Sequence, residues 1–266
     1  MPVIFLVLTF NRGGDYRSEV VLWETTAAHS PDKARVHYEL GRAYLQQEKV
    51  DPAEKELARV LELDPKNIPA RIMLGKINIE RENYSSALES YLALIRQNIK
   101  TPAVKFNTGL CYLEMGQAGQ ALPYLEEAVD KQPGSAYGHF ILGRAYHQSR
   151  RLNDALKQFR TSVQINPDDP KTHYHMGQVF WDLKSYFFAD ASFQKAYQLD
   201  PQYVDALNNL ISSSMLFKQY DQAITYLNRL LEINPDDPNA RQLLTAAQRL
   251  RDRPAPKVPA RPEQFH

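Results

Sequence analysis

Apolar positions return along this chain with a fixed stride. Leu57, Tyr91, Leu125, Phe159, Phe193 and Leu227 each follow the last by 34 residues. Gly41, Gly75, Gly109, Gly143 and Gly177 keep the same spacing, as do Ala53, Ala87, Ala121, Ala155, Ala189 and Ala223. Pro65, Pro133, Pro167, Pro201 and Pro235 close five of the periods. Six repeats can be written without insertions: 34–67, 68–101, 102–135, 136–169, 170–203 and 204–237. An unbroken period of this length predicts a stack of supersecondary pieces, each too small to bury its apolar face alone.

With each repeat numbered from 1, the glycine is at place 8, the alanine at place 20, the large apolar residue at place 24 and the proline at place 32. Place 11 is usually aromatic, as in Tyr44, Tyr112, Tyr146 and Phe180. A glycine inside a helix costs about 1 kcal/mol relative to alanine, so its recurrence needs a compensating gain. Close approach of two antiparallel helices supplies one, with the alanine expected to face the glycine. The proline ends the second helix of each pair, lacking a donor and biasing its predecessor away from helical geometry. Thr101-Pro102, Asp169-Pro170 and Asp237-Pro238 read as an N-cap followed by proline at the first helical position.

The series His139, Leu142-Gly143, Tyr146, Ala155, Phe159 and Pro167 resembles the tetratricopeptide repeat, and the resemblance holds in register over 34–237. It implies an all-α fold, an α-α superhelix (a TPR solenoid) of antiparallel helix pairs. Repeats 2 and 6 depart from the pattern, with Asn78 and Ile99 in one and Ile211 and Ser214 in the other, and are expected to pack less regularly.

The flanks continue the phase. Asp15 to Ala28 reads as the second helix of an incomplete repeat, with Trp23 at place 24 and Pro31 at place 32, within an N-terminal segment spanning 1–33. Residues 238–251 read as a lone capping helix, and 252–266 as a disordered, proline-rich tail. Val3 to Phe10 is almost wholly apolar but too short to cross a bilayer, which takes about 20 residues. The plain expectation is an irregular first helix covering Trp23. A second reading starts from Asn11-Arg12, Tyr16-Arg17-Ser18-Glu19, Leu22-Trp23-Glu24 and Ser30-Pro31. These resemble the junction between the last span and the repeats in polytopic membrane proteins of the O-mannosyltransferase-like, tetratricopeptide-tailed type. That resemblance implies membrane association through a missing upstream segment, and repeats on the periplasmic or lumenal face. A complete chain would instead be soluble and cytoplasmic.

Composition narrows the chemistry. With 32 basic and 31 acidic side chains the net charge is +1, without the basic excess that marks nucleic-acid binding. The one cysteine, Cys111, excludes an internal disulfide and reads as an inert core thiol. Nucleophile elbows, zinc-protease pairs, phosphate loops and dinucleotide turns are absent, so neither an enzyme nor a cofactor or metal is expected. His37, His139 and His173 share place 4, a packing position, which argues for structure over ligation. Asn83-Tyr84-Ser85 matches the glycosylation acceptor, a triplet common by chance.

In the family that the chain resembles, places 2, 5, 9 and 12 of the first helices line a concave groove. Carried onto this sequence, they give Tyr38 and Arg42, then Lys76, then Phe106. Repeat 4 supplies Tyr137, Phe140, Arg144 and His147, and repeat 5 supplies Lys171, Tyr174, Gln178 and Trp181. Exposed rings beside cations suit an extended peptide or a partner helix. The lysine and asparagine pattern of the family's carboxylate-clamp members is missing, as is the asparagine ladder of its sugar-transferase repeats. Tyr186, Phe187 and Phe188 crowd three rings at the start of a second helix, a possible second contact surface. The expected function is therefore a non-catalytic protein-interaction scaffold with a protein or peptide ligand. The alternative is an acceptor-docking portion of a membrane glycosyltransferase system.

Overall fold

The structure, a computed structural model, describes residues 12–253. Val3–Phe10 and the proline-rich stretch beyond Arg253 lie outside the described residues. Fourteen α-helices and no strands occur among the residues described. None of these helices is long and apolar enough to cross a membrane. The chain divides into two compact units, 1–149 and 150–266, with the division at the turn inside repeat 4.

The N-terminal unit holds α1 (Arg12–His29), α2 (Ala34–Gln46), α3 (Val50–Leu63), α4 (Ile68–Glu80), α5 (Tyr84–Arg96), α6 (Pro102–Glu114), α7 (Ala118–Lys131) and α8 (Ala136–Gln148). Each helix packs on the next, and α6 also meets α8. The C-terminal unit holds α9 (Leu152–Ile165), α10 (Pro170–Asp182), α11 (Tyr186–Leu199), α12 (Val204–Leu216), α13 (Tyr220–Ile233) and α14 (Pro238–Arg251), again packed in succession. Both are stacks of antiparallel helix pairs, the all-α class that the period predicts. Helix α1 lies where the incomplete repeat was expected, with Trp23 packed against Val20, Leu40 and Ala43.

The glycines are explained by close approach, but the alanine is not what faces them. A Cβ on Gly41 would stand 3.0 Å from Leu57 Cγ, and one on Gly109 2.6 Å from Leu125 Cγ. On Gly177 it would stand 2.5 Å from Phe193 Cε1, and on Gly75 2.8 Å from Tyr91 Cζ. The place 24 side chain therefore fills the space above these four glycines. The alanine contributes its backbone: Ala53 O lies 3.4 Å and Ala121 O 3.1 Å from the same built Cβ positions.

Five first-position helices begin on side-chain caps, whereas α2, α12 and the second helices of the six repeats do not. Asn67, Thr101, Ser135, Asp169 and Asp237 accept backbone N–H bonds from the first turns of α4, α6, α8, α10 and α14. The first helix of each of the six repeats is followed by the same backbone turn. Place 15, occupied by Glu48, Glu82, Gly116, Arg150, Lys184 and Lys218, takes a left-handed backbone with φ between 58° and 77°. The N–H of place 16 then reaches back to the carbonyl of place 11, as from Lys49 to Tyr44 (3.0 Å) and from Gln219 to Ser214 (2.8 Å). This is the Schellman closure, which satisfies carbonyls that the helix end would orphan.

The irregularity expected of repeats 2 and 6 amounts to little. Both α4 and α12 keep 13 residues, and α5 is one residue shorter than its counterparts. Where repeat 2 lacks its proline, Asn98 takes φ 63° and Ile99 N–H bonds Leu94 O at 2.9 Å, a second Schellman closure. Asn78, buried at the usual aromatic place, satisfies its amide by donating to Leu74 O at 2.9 Å.

Candidate partner-binding site

The residues expected to line a groove fall in both units. In the N-terminal unit they are not one open surface. Phe106, Tyr137 and Phe140 form a ring series, with centroids 5.7 Å apart for the first pair and 6.2 Å for the second. Tyr137 is exposed, whereas Phe140, at 7% exposure, belongs to the core. Its expected place on a free face is thus corrected. A helical position that close to the axis of packing is covered by neighbours, and spacing alone cannot tell it from Tyr137.

Arg144 is also committed. Its two terminal nitrogens meet the Glu114 carboxylate at 2.7 and 3.2 Å in a fork, and its Cζ sits 5.9 Å from the Phe140 ring centroid. Such a bidentate pair orients both partners, so the guanidinium is shared with Glu114 before any ligand arrives. Arg42 is held similarly by Glu39, at 2.6 Å. Tyr38 packs against the cluster around Leu57 and Leu74, Lys76 is exposed, and His147 is half-buried.

Beside Phe106 and Tyr137 opens a slot of about 160 Å³, completed by Asn107, Val129, Ser135 and Gly138. Asn107 donates to the hydroxyl of the buried Tyr91 at 3.1 Å, which fixes one edge of it. The slot is the size of one apolar side chain.

In the C-terminal unit, Tyr174 is the centre. Its ring lies 5.0 Å from Tyr203 and 5.8 Å from Phe193, and its hydroxyl accepts from Gln178 Nε2 at 2.9 Å. Burial raises the pKa of Tyr174 and of Tyr203, so both phenols are neutral donors at ordinary pH. Lys171 is exposed at the start of α10. Trp181 turns away from this group and stands edge-on to Tyr186, with centroids 5.0 Å apart. Trp181 thus joins the ring cluster that was expected to be a separate surface.

Place 4 has a role that periodicity did not reveal. His37, His139 and His173 each bring Nε2 to 2.9 Å from the carbonyl oxygen of Pro31, Pro133 and Pro167 respectively. Arg71 and Arg241, at the same place, reach Pro65 O and Pro235 O at 2.6 Å. A carbonyl only accepts, so each ring nitrogen there carries the proton. Among the described residues no group of three or more His, Cys, Asp or Glu side chains is disposed to hold a metal ion. The shared signal in the sequence is a donor, either His or Arg, six residues after a proline.

Family models described as tetratricopeptide repeat match residues 34–67, 109–170, 170–203 and 189–247, together more than half of the chain. The chain belongs to the tetratricopeptide-repeat family. It is 24% identical over 188 residues to Superkiller protein 3 of Schizosaccharomyces pombe, covering 67% of this chain and 14% of that protein. To BBSome complex member BBS4 of Bos taurus it is 21% identical over 234 residues, covering 88% and 45%. Cytochrome c-type biogenesis protein CycH of Pseudomonas aeruginosa is 31% identical over 153 residues, covering 51% and 36%. The chain therefore spans less than half the length of these curated relatives.

Among solved structures, it resembles YrrB, described as a tetratricopeptide-repeat protein with an unusual peptide-binding site. The TM-score is 0.61 at 20% identity, over 70% of this chain and 96% of that one. Pseudomonas aeruginosa pilF gives a TM-score of 0.63 at 21% identity, over 80% and 97%. These likenesses concern the fold. Tetratricopeptide-repeat proteins generally act as protein-interaction scaffolds.

Proposed function

We propose that this protein is a non-catalytic scaffold that holds a peptide or partner helix against the faces of its first helices. The observation that carries the reading is the pairing of an exposed ring, Tyr137, with a side-chain-sized slot next to it. Large rings give contact area at little conformational cost, and a pocket beside them anchors one side chain of a ligand. Phe106 and Asn107 supply an apolar wall and a polar edge. In the C-terminal unit, Tyr174 and Gln178 offer the same combination of ring and amide. Arg144 contributes by fixing Glu114 and Phe140.

The test is quantitative capture of partners from native extract by wild type and by Tyr137→Ala, with melting temperatures measured in parallel. Loss of specific partners with melting unchanged supports the reading. An identical partner set for both proteins removes the N-terminal face from consideration.

A further inference from the structure

Places 18 and 19 open the second helix of each repeat, and in five repeats neither is a large apolar residue: Asp51-Pro52, Ser85-Ser86, Gly119-Gln120, Asn153-Asp154 and Asp221-Gln222. In repeat 5 they are Phe187 and Phe188, exposed by 80% and 57%. Phe188 rests on Phe180 with centroids 5.4 Å apart, and Phe187 meets Phe188 edge to face at 5.6 Å. Tyr186 beside them is held edge-on by Trp181 at 5.0 Å and by Phe217 at 6.0 Å. Tyr186, Phe187, Phe188 and Phe217 line an open cleft of about 510 Å³. The charges of its lining, Lys184 and Asp190, cancel, so the cleft selects for apolar surface and not for a sign of charge.

The end of the helical stack lies beside it. Gln219 lines the cleft and also borders a second depression of about 410 Å³, to which Leu250 and Arg251 in the last turn of α14 contribute. The chain therefore leaves α14 one depression away from the rings. Thirteen residues of this sequence follow Arg253, with prolines at 254, 256, 259 and 262. A polyproline II helix has three residues per turn, so Pro256, Pro259 and Pro262 would share one edge of it. In that form 254–262 spans about 28 Å, several times the width of a depression that size. Prolines pack well on aromatic rings and lose little freedom in doing so, because their backbone is already extended before binding.

We propose that residues 254–262 of this chain dock in polyproline II form across the cleft of Phe187, Phe188 and Phe217 in the same molecule. Pro256, Pro259 and Pro262 lie against the rings. The Gln219 amide and the Tyr186 hydroxyl donate to backbone carbonyls that this conformation leaves without internal partners. Attachment to α14 raises the local concentration of the segment to about the millimolar range, so even a weak contact keeps the cleft covered. A partner that uses these rings must first displace it. The cleft shares no residue with the slot beside Tyr137, so this inference does not rest on the ligand face proposed there.

Benzoylphenylalanine placed at position 187 of the full chain tests the contact, because it keeps an aromatic ring there and crosslinks in light to whatever touches it. Peptide mapping of the irradiated monomer should find the link within 254–262. A Pro256→Ser, Pro259→Ser, Pro262→Ser variant should give about tenfold less of it, and a melting curve checks that this variant is folded. In a second arm, a fluorescent peptide copying 254–266 is titrated by anisotropy into the wild-type chain and into the triple-serine variant. It should bind the variant about tenfold more tightly, because the wild-type chain's own segment competes. Equal affinity for the two chains, or binding to neither, overturns the proposal. So does a link from position 187 to another part of the chain in place of 254–262, or to a second copy, seen as a covalent dimer.

Discussion

Nε2 of His173 donates to the carbonyl oxygen of Pro167 across 2.9 Å, six residues back along the chain. The bond bridges the end of α9 and the first turn of α10. The same geometry recurs with His37, Arg71, His139 and Arg241. A proline that ends a helix leaves carbonyls without intrahelical donors, and place 4 of the next repeat supplies one.

His173→Phe keeps a ring of similar size and removes the donor. Pro167 is exposed and its carbonyl can turn to water, so the loss is the net worth of one hydrogen bond, about 1 kcal/mol, and the melting temperature should fall modestly. His173→Arg should fall less, because arginine does this work at Arg71 and Arg241. Equal losses for both variants would show that ring packing, not the bond, is what place 4 provides.

The glycines differ in how tightly they are covered, and alanine substitutions should rank accordingly. At Gly41 the new Cβ meets Leu57 at 3.0 Å, a contact that a small rotation of leucine relieves. At Gly177 it would stand 2.5 Å from the ring of the fully buried Phe193. Overpacking of that kind costs about 1–3 kcal/mol, while alanine regains about 1 kcal/mol of helix propensity. Gly41→Ala should be near neutral in urea denaturation and Gly177→Ala destabilised, with Phe193→Leu recovering part of the loss in the double variant.

Place 15 offers the opposite experiment. Of the six residues there with positive φ, Gly116 alone is a glycine. A left-handed conformation costs a residue with a Cβ about 1–2 kcal/mol, partly offset by the larger chain entropy that glycine loses on folding. Glu48→Gly should therefore raise stability by about 0.5–1 kcal/mol, and Gly116→Ala should lower it by a similar amount. Calorimetric melting of the two variants beside wild type decides the sign.

These cases show what the sequence carries and what it does not. The period placed the helix pairs, their caps at Thr101, Asp169 and Asp237, and the lone α14, because each rests on local chemistry repeated at a fixed spacing. The left-handed turns were silent, since five of the six sites hold Glu, Arg or Lys instead of the glycine that would announce them. Within the candidate site, place number separated first-helix faces from second, but not exposed from covered. Tyr137 and Phe140 are three residues apart on one helix and differ in exposure from 56% to 7%. The Arg144–Glu114 fork joins residues 30 apart, from different repeats, which no single repeat encodes. The resemblance of the N-terminal stretch to a membrane junction draws in part on Asn11 and the apolar run before it, outside the described residues.

Cys111 yields a prediction about alkaline pH. Its side chain is fully buried among Tyr91, Val104 and the other residues of that cluster, and loss of solvent pushes the thiol up to about 12 from the ordinary 9.0. A group whose pKa is raised by folding stabilises the fold below its unfolded pKa and ceases to do so as pH climbs toward the folded value. Here the unfolded chain releases its thiol proton from about pH 9 while the folded chain keeps it. Stability should then fall by up to about 1.4 kcal/mol per pH unit between pH 9 and 12. Tyr44, raised to about 12 by burial and by its bond to Glu24, adds to the decline only above pH 10. Urea denaturation of wild type and Cys111→Ala at pH 8, 9 and 10 separates these contributions. The variant starts lower, because it loses packing, but should decline less over the first part of that range. The native thiol should also resist a disulfide reagent until the protein unfolds. Parallel decline of the two proteins, together with rapid native-state labelling, would show that the thiol is not sealed in the core.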